Sequence, residues 1–60
     1  MSINLLLLYE IKDKASKVNS KKAYHDFERW VRNLLQTYHD AAVERMANIC
    51  LFGLREQFGY

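Results

Sequence analysis

Hydrophobic residues recur at helical spacing through the second half of the chain. Projected at about 100° per residue, eleven of the apolar residues between Lys21 and Phe52 form one continuous face. That face contains Tyr24, Phe27, Trp30, Val31, Leu34, Leu35, Tyr38, Ala41, Ala42, Ile49 and Phe52. The chain has no proline, and its two glycines, Gly53 and Gly59, come late, so nothing before Phe52 forces a turn. The pattern predicts one long amphipathic helix over about residues 21–52.

The apolar residues between positions 3 and 18 fit both the spacing of a strand and the spacing of a helix. Alternate positions over residues 3–11 are apolar, as in a strand, whereas apolar positions over residues 8–18 step at helical spacing. Helix is favoured because the run is rich in leucine rather than in β-branched residues, and because two acidic residues precede lysines by four positions. These pairs are Glu10 with Lys14 and Asp13 with Lys17. We predict a first helix over about residues 3–18, with Ser2 as its N-cap.

Together these segments predict a single all-α domain over residues 1–60, built as a helical hairpin. A turn at residues 19–20 joins the short first helix to the long second one, with Ser20 capping the second, and residues 53–60 form a C-terminal segment. The alternative is a compact three-helix bundle. In that fold the long segment breaks between Thr37 and Asp40, either of which could act as an N-cap.

A second apolar stripe on the long helix predicts a protein interface. It lies close to the opposite side from the main face and contains Val43, Met46, Ala47, Cys50, Leu51, Leu54 and Phe58. The short first helix cannot cover both sides, so we expect a second copy of the chain to complete a homodimeric helical bundle. Arg45 interrupts the main apolar face. It either extends past the end of the first helix or pairs with Glu44 or Asp40 of a partner chain.

Length and composition also predict that this chain associates with another chain. A chain of 60 residues, half of them hydrophobic, buries too little surface to be very stable alone. The single cysteine, Cys50, excludes a disulfide within the chain and is typical of the reducing cytoplasm. No basic segment typical of a signal peptide precedes the apolar run from Leu5 to Tyr9, which is too short to cross a membrane. We therefore expect a cytoplasmic protein that associates with another chain.

The sequence contains few candidate catalytic residues. The triplet Tyr24-His25-Asp26 recurs as Tyr38-His39-Asp40, but adjacent residues on a helix do not face one another. The simplest interpretation places the tyrosines in the core and leaves the other residues in solvent. Phosphate-binding loops, nucleophile elbows and zinc-ligand spacings are missing from the sequence. We expect no enzymatic activity, no cofactor and no metal site.

Basic residues suggest an alternative function. Between Lys12 and Arg32 there are seven basic and three acidic residues, within a chain of net charge +2. The basic residues are Lys12, Lys14, Lys17, Lys21, Lys22, Arg29 and Arg32. In a hairpin they would surround the turn and could contact phosphates, although such lysines often serve only solubility. The sequence thus predicts a small regulatory, inhibitor or adaptor protein that binds a protein target, with a dimeric nucleic-acid-binding regulator as the alternative.

Overall fold

A computed structural model describes residues 3–59 and contains three helices. They are α1 (Ile3–Ser16), α2 (Lys21–Thr37) and α3 (Ala41–Phe58). The all-α class is confirmed, and the architecture is the three-helix bundle. The single helix that we preferred over residues 21–52 is wrong, because it is divided at residues 38–40. The predicted cap at Ser2 lies outside the described residues.

Short turns with side-chain caps join the helices. After α1, the Val18 amide donates to the Ala15 carbonyl at 3.2 Å, and residues 18–19 belong to neither helix. Ser20 then starts α2: its backbone is extended, and its hydroxyl accepts a hydrogen bond from the Ala23 amide at 3.1 Å. This is the predicted N-cap, and it satisfies one of the amides that a helix start leaves without a partner.

The break between α2 and α3 depends on Asp40. Tyr38 closes α2 by donating its amide to the Leu34 carbonyl at 2.9 Å, and its own backbone is extended. Asp40 is also extended, and its Oδ1 accepts a hydrogen bond from the Val43 amide at 3.0 Å. Its Oδ2 accepts another, at 2.6 Å, from the side-chain amide of Asn4 on α1. One carboxylate therefore caps α3 and ties it to α1.

The core lies where the three helices meet. Ile11, Val31, Val43 and Ala47 have no exposed surface, and Leu7 and Phe27 are buried beside them. Helix α1 packs most extensively on α3 and least on α2. The Asn4–Asp40 contact at one end, and a groove shared by Ala15 and Leu54 at the other, show that α1 and α3 run parallel. The radius of gyration of 11.0 Å is close to the roughly 10 Å expected of a compact chain of this length.

Candidate protein-binding surface

Helix α1 exposes four large apolar side chains in its first two turns. The exposed fractions are 54% for Ile3, 40% for Leu5, 53% for Leu6 and 60% for Tyr9. Among residues 3–9, only Leu7 is buried, while Asn4 and Leu8 are half-buried. We call Ile3, Leu5, Leu6 and Tyr9 the α1 surface.

The α1 surface exists because every residue of this part of the helix except Asn4 is apolar. A helix that contacts its neighbours along one stripe buries only about a third of its circumference. Leu7 and Ile11, four residues apart, form that stripe, and Leu8 packs against it half-buried, while Leu5 and Leu6 lie outside it and are exposed. Beyond Tyr9 the outer side of α1 becomes charged, starting at Glu10. The uncovered apolar area is therefore confined to one end of the bundle.

The stripe predicted as an interface serves mainly the chain's own core. Val43 and Ala47 are fully buried against α1 and α2, so this fold leaves them no surface for a partner. Four other members are half-buried and pack against the core: Met46, Cys50, Leu51 and Leu54. Phe58 is half-buried, and Arg45 is exposed. Because the chain turns at Asp40, α1 covers the side of α3 that we had assigned to a second copy.

The turn also exposes residues that the projection had placed in the core. Ile49 is 62% exposed and Phe52 is 68% exposed, and both Ala41 and Ala42 are exposed as well. Projection of residues 21–52 assumed one helix axis, and a break removes any fixed angular relation between the two halves. Within α2 the projection holds, since Phe27 and Val31 are buried.

The basic residues form no single patch. Lys14 and Lys17, at the end of α1, line an open cleft of about 310 Å³ beside the start of α2. The Lys14 ammonium lies 5.1 Å from the centre of the Trp30 ring, which is within cation–π range. Trp30 packs against the core and also lines this cleft, so an aromatic ring accompanies the lysines. Lys12 instead lines the groove between α1 and α3.

Several of these cations already have acidic partners on their own helix. Lys17 lies 3.1 Å from Asp13, and Arg32 lies 3.2 Å from Glu28. His25 lies 3.5 Å from the same Glu28. Lys17, His25 and Arg32 are exposed and Glu28 is half-buried, and pairs with exposed members contribute little to stability. Lys21, Lys22 and Arg29 are exposed.

The described residues hold no group of three or more histidine, cysteine or acidic side chains placed to bind a metal ion. Tyr24 is buried and His39 is exposed, while Asp40 acts as a cap, so the two Tyr-His-Asp triplets have different structural roles. Burial raises the pKa of the Cys50 thiol, and the nearby Lys12 ammonium partly offsets this increase. A thiol with a raised pKa is a weaker nucleophile at neutral pH.

Comparisons with other proteins give no family for this chain. No protein-family model, no curated protein and no solved structure matches it. Within residues 3–59, none of the three helices has the length and apolar character needed to cross a membrane.

Proposed function

We propose that this chain is a small non-enzymatic regulatory, inhibitor or adaptor protein that binds a protein target through the α1 surface. The observation that carries the proposal is the exposure of Ile3, Leu5, Leu6 and Tyr9 on a helix whose other side holds the core. Contiguous exposed apolar groups on a small domain commonly mark a binding site. The proposal moves the contact from the stripe through Val43 and Ala47 to α1, because the chain buries that stripe in its own core.

Covering the α1 surface would contribute a favourable free energy of binding. Complete burial of an Ile or Leu side chain contributes about 1.5–3 kcal/mol, and these four side chains are each about half exposed. Covering all four would therefore contribute on the order of 4 kcal/mol, before the cost of association. A matching apolar groove or helix on the target would supply that cover.

A photo-crosslinking experiment tests this proposal. A photoreactive amino acid replaces Leu6 or Tyr9 in the full chain, expressed in its native cells, and adducts are identified by mass spectrometry. The matched control carries the probe at Gln36, an exposed polar position on α2. We expect one discrete adduct from positions 6 and 9 and none from position 36.

The identified protein is then purified and titrated with the wild-type chain and with Leu6→Asp. A loss of affinity of about 100-fold is expected, because the variant loses apolar contact and places a charge in the interface. Circular dichroism of Leu6→Asp should show the helix content of the wild type. Identical adducts from all three probe positions, or unchanged affinity of Leu6→Asp, would refute the proposal.

A second candidate function is binding of nucleic acid at the α1–α2 end. The observation in its favour is that Lys14, Lys17 and Trp30 line one cleft, which combines charge with an aromatic ring. Lysines contact phosphates, and a partly exposed tryptophan can stack on a base. Lys21 and Lys22 begin the adjacent helix.

This candidate is tested with labelled single- and double-stranded oligonucleotides over a range of salt concentrations. Replacing Lys14 and Lys17 together by alanine should weaken binding and reduce the salt slope by about 2, roughly one for each lost phosphate contact. Trp30 fluorescence should be quenched on binding if the ring stacks. Affinity that does not depend on these two lysines would exclude the candidate.

A further inference from the structure

The outward face of α3 carries a second exposed stripe with a definite charge pattern. It consists of Arg45, Ile49, Phe52 and Glu56, all of them exposed. Their spacing of four, three and four residues places them within an arc of about 60° on the helix. The same spacing is found along the contact stripe of helices that pair as coiled coils. The stripe lies opposite the side of α3 that carries the buried Val43 and Ala47.

This stripe can pair with an identical stripe that runs in the opposite direction. A cation stands at one end, an anion at the other, and two apolar side chains lie between them. If two α3 helices pair antiparallel about an axis between positions 50 and 51, Arg45 faces Glu56 of the second copy. Ile49 then faces Phe52 of the second copy, and the two-fold axis repeats both contacts. A parallel pair would instead place Arg45 against Arg45.

Arg45 and Glu56 are available for such pairing. Neither forms an ion pair or a hydrogen bond with any other side chain in residues 3–59. Asp40, which we had considered as a partner of Arg45 across an interface, is occupied by the Val43 amide and by Asn4. The complementary acid is thus on the stripe itself.

We infer that the binding partner of this stripe is a second copy of the chain, docked antiparallel along α3. The two ion pairs and two apolar pairs extend over about 16 Å of helix. An interface of this size belongs to the transient class, below about 1,200 Å² of total buried area. The dimer therefore forms in a concentration-dependent equilibrium and presents two α1 surfaces. This inference does not depend on the function proposed for the α1 surface.

Sedimentation equilibrium, from micromolar to millimolar concentrations of the full chain, tests the inference. The mass should rise from 7.2 kDa towards twice that value, and added salt should shift the equilibrium back to monomer. Arg45→Glu alone and Glu56→Arg alone should each raise the dimer Kd about tenfold, because two attractive pairs become repulsive. The double variant reverses both charges and should restore the Kd to within about threefold of the wild type.

Two control variants distinguish this interface from other surfaces. Arg29→Glu makes the same charge change at an exposed position of α2 and should leave the Kd unchanged. Leu6→Asp should also leave it unchanged, whereas Phe52→Ser should abolish the dimer. A monomer at every concentration would overturn the inference. So would a dimer that Leu6→Asp disrupts, or single charge reversals that the double variant does not rescue.

Discussion

Replacing Asp40 by alanine should cost about twice as much stability as replacing the other N-cap, Ser20. Both residues cap a helix through one hydrogen bond to the amide three positions on, at 3.0 Å and 3.1 Å. Asp40 also accepts a hydrogen bond from the side-chain amide of Asn4 on α1. The two substitutions therefore differ by one tertiary contact.

The magnitude follows from these contacts. Loss of an N-cap costs about 1 kcal/mol, and this is the whole effect expected for Ser20→Ala. The part-buried hydrogen bond between Asn4 and the Asp40 carboxylate contributes about 1 kcal/mol more. Asp40→Ala should therefore lose about 2 kcal/mol. In a domain of this size each kcal/mol lowers the Tm by about 4–8 °C, so a decrease of roughly 8–16 °C is expected.

Urea and thermal unfolding, followed by circular dichroism at low chain concentration, measure these differences. Asn4→Ala completes a double-mutant cycle with Asp40→Ala. The coupling energy should be about 1 kcal/mol, because either substitution removes the same hydrogen bond. If Asp40→Ala costs no more than Ser20→Ala, or if the Asn4 and Asp40 effects simply add, the assignment of Asp40 as the link between α1 and α3 is refuted.

Three further predictions concern individual positions. Gly53→Ala should stabilise the chain by about 0.5–1 kcal/mol in urea unfolding, because a Cβ added there meets nothing within 4 Å. Gly59→Ala is the matched control and should not stabilise the chain, because its Cβ would lie 2.7 Å from the Arg55 side chain. Val43→Ala should cost about 2–3 kcal/mol, a large part of the roughly 3–9 kcal/mol expected for this chain length, because it opens a cavity in a fully buried site. The raised pKa of Cys50 should make its alkylation near neutral pH slower than that of a free thiol. The free energy of unfolding should decrease as the pH rises from the unfolded thiol pKa of about 8.5 towards the higher folded value. A pH dependence that is unchanged in Cys50→Ala would contradict this assignment.

The two exposed surfaces have different characters, and this bears on their functions. The α1 surface is purely apolar and has no charge pattern that selects a partner, so it fits a target with a matching apolar groove. The exposed stripe of Arg45, Ile49, Phe52 and Glu56, which we call the α3 stripe, carries opposite charges at its two ends, which favours one orientation of one partner. A chain that uses both would bind its target as a bivalent dimer.

Helix α2 is largely specified by its local sequence. Its apolar face, its start at Lys21 and its cap at Ser20 all follow from local signals: periodicity, the absence of breakers and a serine before the first turn. The break after Thr37 had a weaker signal, because Asp40 is only one of several polar residues there and neither proline nor glycine accompanies it. We recognised the break as an alternative, but the local sequence could not decide it.

The candidate binding surfaces were less predictable than the helices. The run of leucines in α1 was visible, but which of them the bundle would cover was not. Ile49 and Phe52 were assigned to the core because one axis was assumed for residues 21–52. Exposure depends on the direction in which α3 leaves the turn, and a single helical projection contains no information on that direction.

The sequence by itself determined the all-α class, the approximate helical segments, the N-cap at Ser20 and the absence of a disulfide, because each of these depends on neighbouring residues or on composition. Tertiary structure alone decided that the stripe through Val43 and Ala47 packs against α1 within the same chain. It also decided that the α1 surface and the α3 stripe remain exposed. The physical reason is that Asp40 caps α3 and accepts a hydrogen bond from Asn4 when the chain turns. The turn also lets one short chain bury Phe27 and Val31 of α2 together with Val43 and Ala47 of α3.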